Sequence, residues 1–183
     1  IGSPNLPKSR RKIQAFITKE IRKITDNSIT INEENPAPRW LMSVARLNAN
    51  LGAMPLVGGN KAELVQGYKY ALERMAMDID RANQYINVEF YIMSLDKTTK
   101  QFFDSLKAAH NRGVKTRVLL DHVGSLPYPD YKKTIKFLND SGIEWSLMVP
   151  VQPLKGKFQR PDLRNHRKIM VIDGTIGFTG SQN

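Results

Sequence analysis

Tyr85–Ile92 reads Y-I-N-V-E-F-Y-I, and its apolar residues Ile86, Val88, Phe90 and Ile92 fall on every second position. That period of two belongs to a strand with one buried face. Working outward, Lys61 to about Ala82 has helical spacing before it. Thr98 to Asn111 is helical after it and is stopped by Gly113. Val114–Leu120 (V-K-T-R-V-L-L) reads as a second strand, Asp130–Asp140 as a helix ended by Gly142, and Ile143–Met148 as a third strand. Strands alternating with helices predict an α/β fold: a mixed, largely parallel sheet flanked by helices. Arg167–Ile172 and Thr175–Gly180, joined by Asp173-Gly174, predict a closing β-hairpin.

The chain has 183 residues, 40% of them hydrophobic and 25% charged, a composition that belongs to globular domains. It has no cysteine, which excludes disulfide staples, thiolate zinc sites and a cysteine nucleophile. No stretch approaches the roughly 18 apolar residues of a membrane span, and no signal-peptide pattern is present. Position 1 is Ile rather than Met, so the natural N-terminus is expected to lie further upstream.

The net charge of +11 is concentrated. Residues 1–25 carry seven basic groups against one acidic, and residues 151–168 carry six against one, leaving the rest of the chain neutral. Such patches suit an anionic partner: phospholipid head groups, nucleic acid or another phosphate compound. In the first patch, Ile13, Phe16, Ile17, Ile21 and Ile24 recur at helical spacing between Lys and Arg from Ser9 to about Ile24. A basic amphipathic helix of this kind lies against an acidic membrane surface or packs on a partner. Residues 32–38 are a linker, Trp40 to Asn50 a short helix, and the Gly/Pro-rich run L-G-A-M-P-L-V-G-G marks the main boundary. The expected division is a basic juxtamembrane leader and linker over 1–54 and a catalytic half domain over 55–183. The second patch is the aperiodic loop 149–165, whose Lys155, Lys157, Arg160 and Arg164 are candidates for binding a phosphate or head group.

That loop runs into R-N-H-R-K-I-M-V-I-D-G-T-I-G-F-T-G-S-Q-N, residues 164–183. With a two-residue turn at Asp173-Gly174, Ile172 faces Thr175, Lys168 lies opposite Thr179, and His166 lies opposite Ser181. Strand alternation puts His166 and Lys168 on one face, and Asn183 reaches it beside Ser181. An imidazole, an ammonium, a hydroxyl and an amide then converge on a patch suited to a phosphodiester. The imidazole attacks phosphorus while the other groups hold the non-bridging oxygens as charge builds.

His166, Lys168, Asp173, Gly180, Ser181 and Asn183 fit H-x-K-x4-D-x6-G-S-x-N, and so the chain resembles the phospholipase D superfamily. Six specified positions at about 5% frequency each make a chance match roughly one in 10⁵–10⁶. Within the superfamily it is most similar to the bacterial cardiolipin synthases. A-N-Q-Y-I-N-V-E-F-Y-I resembles their first strand, G-V-K-T-R-V-L-L-D-H-V-G-S their second strand and following loop, and N-L-P-K-S-R-R-K the basic stretch after their membrane helices. The resemblance covers Asn60 to Asn183 and that leader.

The resemblance implies a catalytic set of His166, Lys168 and Asp173. His166 is the nucleophile that forms a phosphohistidine, or else the acid that protonates the leaving group. Lys168, Ser181 and Asn183 bind phosphate. Asp173, at the turn, is expected from its position to support the hairpin rather than touch substrate. Two such motifs face each other in the superfamily and this chain has one. It is therefore expected to be the truncated N-terminal half of a two-motif enzyme, inactive alone, with the second half supplied by the missing part or by a second subunit. The implied activity is phosphatidyl transfer at the cytoplasmic face of the cell membrane. Two phosphatidylglycerols give cardiolipin and glycerol, with no cofactor and no metal. The rival readings are a superfamily phosphodiesterase or nuclease and an inactive basic membrane-binding module. No aromatic-rich platform for single-stranded nucleic acid is present, and the leader looks juxtamembrane, so nucleic acid is the disfavoured partner.

Other residues read as structural first. His110 suits a helix C-terminus. Asp121 and His122 follow a strand, where α/β ligand sites gather, although a loop role is the simpler reading. Glu89 could orient a histidine or be a polar-face residue, and Tyr128 and Tyr131 could edge a lipid cleft or pack a loop.

Overall fold

The computed structural model describes residues 8–25, 38–52, 59–151 and 164–182. The chain divides into two compact units, Ile1–Glu63 and Leu64–Asn183. The first contains α1 (Lys8–Thr25) and α2 (Arg39–Gly52). On α1 the apolar residues Ile13, Phe16 and Ile17 are exposed, as are Trp40, Val44 and Leu47 on α2. Among the described residues no helix is long and apolar enough to cross a membrane.

The second unit follows the alternation read from the sequence. Its elements are α3 (Tyr68–Asp80), β1 (Tyr85–Phe90), α4 (Lys100–Asn111), β2 (Lys115–Asp121), α5 (His122–Ser125), α6 (Tyr131–Ser141), β3 (Glu144–Met148), β4 (Lys168–Ile172) and β5 (Ile176–Thr179). The sheet order is β3-β2-β1-β4-β5. β1 runs parallel to β2, and β2 to β3, whereas β4 is antiparallel to both β1 and β5. The α/β class and the terminal hairpin are as expected. The helix anticipated from Lys61 begins only at Tyr68, because the backbone turns at Gly67 with φ 89°. The short α5 was not anticipated; it is a single turn, too brief to show a period.

Alternation decides which face is buried. Ile86, Val88 and Phe90 lie opposite Ile172, Met170 and Lys168, and all six are buried. The five apolar ones form one core with Leu72, Met75 and Ile79 of α3 and with Phe102, Phe103 and Leu106 of α4. Full burial of each such apolar side chain contributes about 1.5–3 kcal/mol. The residues between them, Asn87, Glu89, Ile169 and Val171, face the other side and are only half-buried.

The closing hairpin corrects the expected register. Asp173 and Gly174 both take left-handed backbone, φ 52° and 68°, and the Thr175 N–H donates to the Ile172 carbonyl at 3.1 Å, as the Asp-Gly signal implies. Yet the ladder pairs Ile172 with Ile176 and Ile169 with Thr179. Thr175 is an extra residue on the return strand, a bulge that slips every partner by one. Thr179 therefore shares a face with Ile169, not with Lys168, and the continued register sets His166 level with Gln182 rather than Ser181.

Candidate active site

Because β4 runs antiparallel to β1, its first residue lies at the carboxyl ends of the parallel strands. That is the edge of an α/β sheet where ligands bind. Lys168 is level with Phe90, the last residue of β1, and His166 lies just beyond. Asn165 shapes the entry: its Oδ1 accepts the Arg167 N–H at 3.3 Å, and its Nδ2 donates to the Glu89 carboxylate. Glu89 thus holds the residue before the histidine, not the histidine itself.

The His166 side chain is exposed, whereas Lys168 is 4% exposed. The Lys168 ammonium lies 2.8 Å from His166 Nδ1, 3.3 Å from Nε2, and donates to the His166 carbonyl at 3.1 Å. An ammonium has protons and no lone pair, so in the shorter contact the ring nitrogen accepts. Burial pushes the Lys168 ammonium below the usual lysine range. Tyr91 lines the same spot. Its ring centroid lies 4.4 Å from that of His166 and 5.4 Å from Lys168 Nζ, a cation–π contact.

Tyr91 is held by α5. The Ser125 hydroxyl donates to the Tyr91 carbonyl at 3.3 Å and accepts the Met93 N–H at 3.2 Å. At Gly124 an added Cβ would stand 2.6 Å from the Tyr91 carbonyl oxygen and 2.7 Å from its ring, so only glycine permits this approach. Neither α5 nor Tyr91 was found as a site element from the sequence. The available signal was a tyrosine just past the end of β1, at the ligand edge of the sheet.

A buried ammonium, an exposed imidazole beside it and an aromatic wall can bind and attack a phosphoryl group. The family described as cardiolipin synthase, PLD-like domain, matches residues 75–183. Cardiolipin synthase A of Yersinia pseudotuberculosis serotype O:1b is 34% identical over 170 residues, 90% of this chain and 32% of that protein. The chain belongs to the cardiolipin synthase PLD-like family. Cardiolipin synthase A of Serratia proteamaculans is 36% identical over 132 residues, 69% of this chain and 26% of that protein. The chain thus spans about a third or less of the length of these curated relatives. Among solved structures, the phospholipase D family member Nuc from Salmonella typhimurium aligns with a TM-score of 0.48 at 21% identity, covering 62% of this chain and 64% of its own. NucT from Helicobacter pylori aligns at 0.47 and 19%, covering 62% and 66%.

The remaining residues of the family motif are dispersed. Asp173 lies at the opposite end of β4 from Lys168, next to the start of β1. Its carboxylate accepts the backbone N–H groups of Asn83, Gln84 and Tyr85 at 2.8–2.9 Å, and its own N–H donates to the Tyr85 carbonyl. These amides, the Asn83 N–H first, hold its carboxyl below the ordinary aspartate range. Five residues of strand, at about 3.3 Å each, separate it from Lys168. In this fold Asp173 ties the hairpin to β1 and stands away from His166 and Lys168, so of the three residues expected to act together only His166 and Lys168 are in contact. Ser181 is exposed beyond the end of β5, and Asn183, Lys155, Lys157 and Arg160 lie outside the described residues.

Arg164, a head-group candidate from the sequence, reaches toward the end of β2. Its guanidinium lies 3.4 Å from the Asp121 carboxylate, which is fully buried, and donates to the Val149 carbonyl at 2.9 Å. His122 Nδ1 accepts the Val151 N–H at 3.2 Å. Asp121 and His122 therefore anchor the two stems of the basic loop, the structural alternative for that pair. Tyr131 lies near His122, with ring centroids 6.5 Å apart, and His110 sits in the last turn of α4.

Proposed function

We propose that the chain is the first catalytic half of a phosphatidyltransferase that makes cardiolipin from two phosphatidylglycerols. The observation carrying this reading is the contact between the exposed His166 imidazole and the buried Lys168 ammonium at the ligand edge of the sheet. An imidazole nitrogen of His166 attacks phosphorus, and the bond from phosphorus to the glycerol head-group oxygen breaks. The departing oxygen takes a proton from an acid in the second half of the site. Lys168 moves from imidazole to a non-bridging oxygen and stabilises the charge that builds there. The family resemblance also gives Ser181 and Asn183 to the phosphate, although in the observed register Gln182, not Ser181, is level with His166. The terminal hydroxyl of a second phosphatidylglycerol then attacks the phosphatidyl-histidine, gives its proton back to that acid's conjugate base, and expels the imidazole. The covalent intermediate retains the diester's free energy, so the transfer requires no nucleotide.

Residues 1–54 act as the membrane-facing leader in this reading, with Ile13, Phe16 and Ile17 of α1 exposed among basic residues. Each basic residue near an anionic surface adds about 1 kcal/mol of attraction. Co-sedimentation with vesicles should need acidic lipid and fade with salt; equal binding to neutral vesicles contradicts this role.

Incubating the complete protein with phosphatidylglycerol vesicles tests the activity. Cardiolipin and free glycerol in equal amounts are expected. Phosphatidic acid alone, or cleavage of nucleic acid without lipid turnover, overturns the reading. Residues 1–183 alone should turn over slowly or not at all, because they carry one H-x-K-x4-D motif.

A further inference from the structure

Beside the phosphate-binding pair lies an apolar cavity of about 220 Å³ that neither the motif nor the chemistry above uses. Its floor is Leu72, Phe90 and Phe102, each less than a tenth exposed, and Ile92 lies on its wall. Tyr68 and Tyr128 stand at the mouth, 48% and 42% exposed.

Two links join this cavity to the reacting groups. Phe90 is the ladder partner of Lys168, and between Phe90 and Ile92 sits Tyr91, whose ring touches both His166 and Lys168. At the mouth, the Gln182 side chain donates to the Tyr68 carbonyl at 3.2 Å, placing the rim one residue from Ser181. An apolar hole that opens this close to a cationic phosphate site is complementary to a molecule that is anionic at one end and hydrocarbon next to it. Ligand pockets for whole small molecules span about 300–1,000 Å³, so a 220 Å³ cavity suits a hydrocarbon segment rather than a complete head group.

We propose that this cavity is an acyl-chain subsite, taking the glycerol-proximal methylenes of one chain of the phospholipid whose phosphate sits at His166 and Lys168. The assignment rests on the phosphatidyl-transfer reading and adds a specificity determinant to it: the hydrocarbon next to the phosphate, not only the phosphate, is recognised. Each methylene that enters the cavity leaves water, which is worth about a fourfold gain in kcat/KM.

The test uses the complete protein and a series of alkyl p-nitrophenyl phosphate diesters (methyl, butyl, hexyl and octyl), with release of p-nitrophenol as the readout. In the native protein kcat/KM should climb steeply with chain length and level off once the cavity is full. Ile92→Trp, which brings an indole in from the wall, should flatten that climb while leaving turnover of the methyl ester at the native level. Leu72→Phe, a smaller intrusion from the floor, should shorten the chain length at which the climb stops. Native-level methyl-ester turnover shows in each case that the variant is folded. A series that is flat or inactive in the native protein, or a slope that both variants leave intact, overturns the subsite. Failure of cardiolipin formation from phosphatidylglycerol is read separately, so a chain-length dependence without cardiolipin keeps the cavity assignment and discards the transferase.

Discussion

The Tyr91 ring packs against the His166 imidazole with centroids 4.4 Å apart and planes tilted by 48°. This contact connects the His166–Lys168 pair to α5, because Tyr91 is itself seated on Gly124 and Ser125. The position of the His166 imidazole is thus set partly by a glycine on another element, some forty residues earlier in the chain.

Gly124→Ala should therefore damage catalysis without touching substrate. The new methyl group must displace the Tyr91 backbone or ring, and a displacement of about 1 Å at a reacting group costs on the order of 10²-fold in rate. The loss should appear in kcat rather than KM. Tyr91→Phe, which keeps the ring, should retain most activity, and Tyr91→Ala should not. Equal kinetics for Gly124→Ala and the native protein would remove Tyr91 as a positioning residue.

Lys168 should cost stability where it supplies catalysis. Burial lowers its pKa, so the folded state disfavours the charged form. That penalty is fully present below the folded pKa and is relieved as pH rises toward the unfolded value of about 10.4. Lys168→Met should lower turnover by about 10²–10³-fold or more. At pH 7 it should also raise Tm, with an advantage that shrinks as pH rises toward that value. A lower Tm for the Met variant at pH 7 contradicts the desolvation account.

Asp173 should act through stability. Its folded pKa is depressed by backbone N–H donors, the Asn83 amide foremost, so its contribution is complete above the unfolded value of about 3.9 and is lost as pH falls through the lower folded value. Asp173→Asn should lower Tm at pH 7, and the gap between the two proteins should close on acidification below about pH 4. Well below its Tm the variant should keep near-native kcat. A large kcat loss in a fully folded Asp173→Asn protein would give this residue a chemical role.

The Arg164–Asp121 pair should behave as a buried ion pair, with side chains 12% and 0% exposed. Arg164→Met leaves the Asp121 carboxylate uncompensated, at a cost of about 3–5 kcal/mol in urea unfolding. Adding Asp121→Asn to that variant should restore much of the loss. If Arg164→Met is neutral to stability but weakens lipid binding, the arginine serves the head group as its place in the basic loop first suggested.

Local pattern was sufficient for the sheet. Ile86, Val88 and Phe90 alternate with Asn87 and Glu89, and the helices end at Gly113 and Gly142, so periodicity and chain breaks located most elements within two residues. The pairing of His166 with Lys168 was legible because alternation puts residues two apart on one face. What was not legible depended on contacts distant in sequence. The bulge at Thr175 has no composition signal, since Asp173-Gly174 reads the same with or without an extra residue. Tyr91 enters the site only through α5, and Arg164 turns from the loop to Asp121 because a carboxylate buried at the end of β2 needs a cation. The motif residues carried the family, and the packing distributed their tasks.

The most direct test exposes the complete protein to phosphatidylglycerol labelled at phosphorus, quenches within a turnover, and locates the label. An acid-labile, base-stable phosphoryl adduct is expected on the peptide containing His166. His166→Ala should lose both the adduct and cardiolipin formation while its fold is unchanged. Labelling and turnover that both survive His166→Ala would exclude His166 as the group that takes the phosphatidyl moiety.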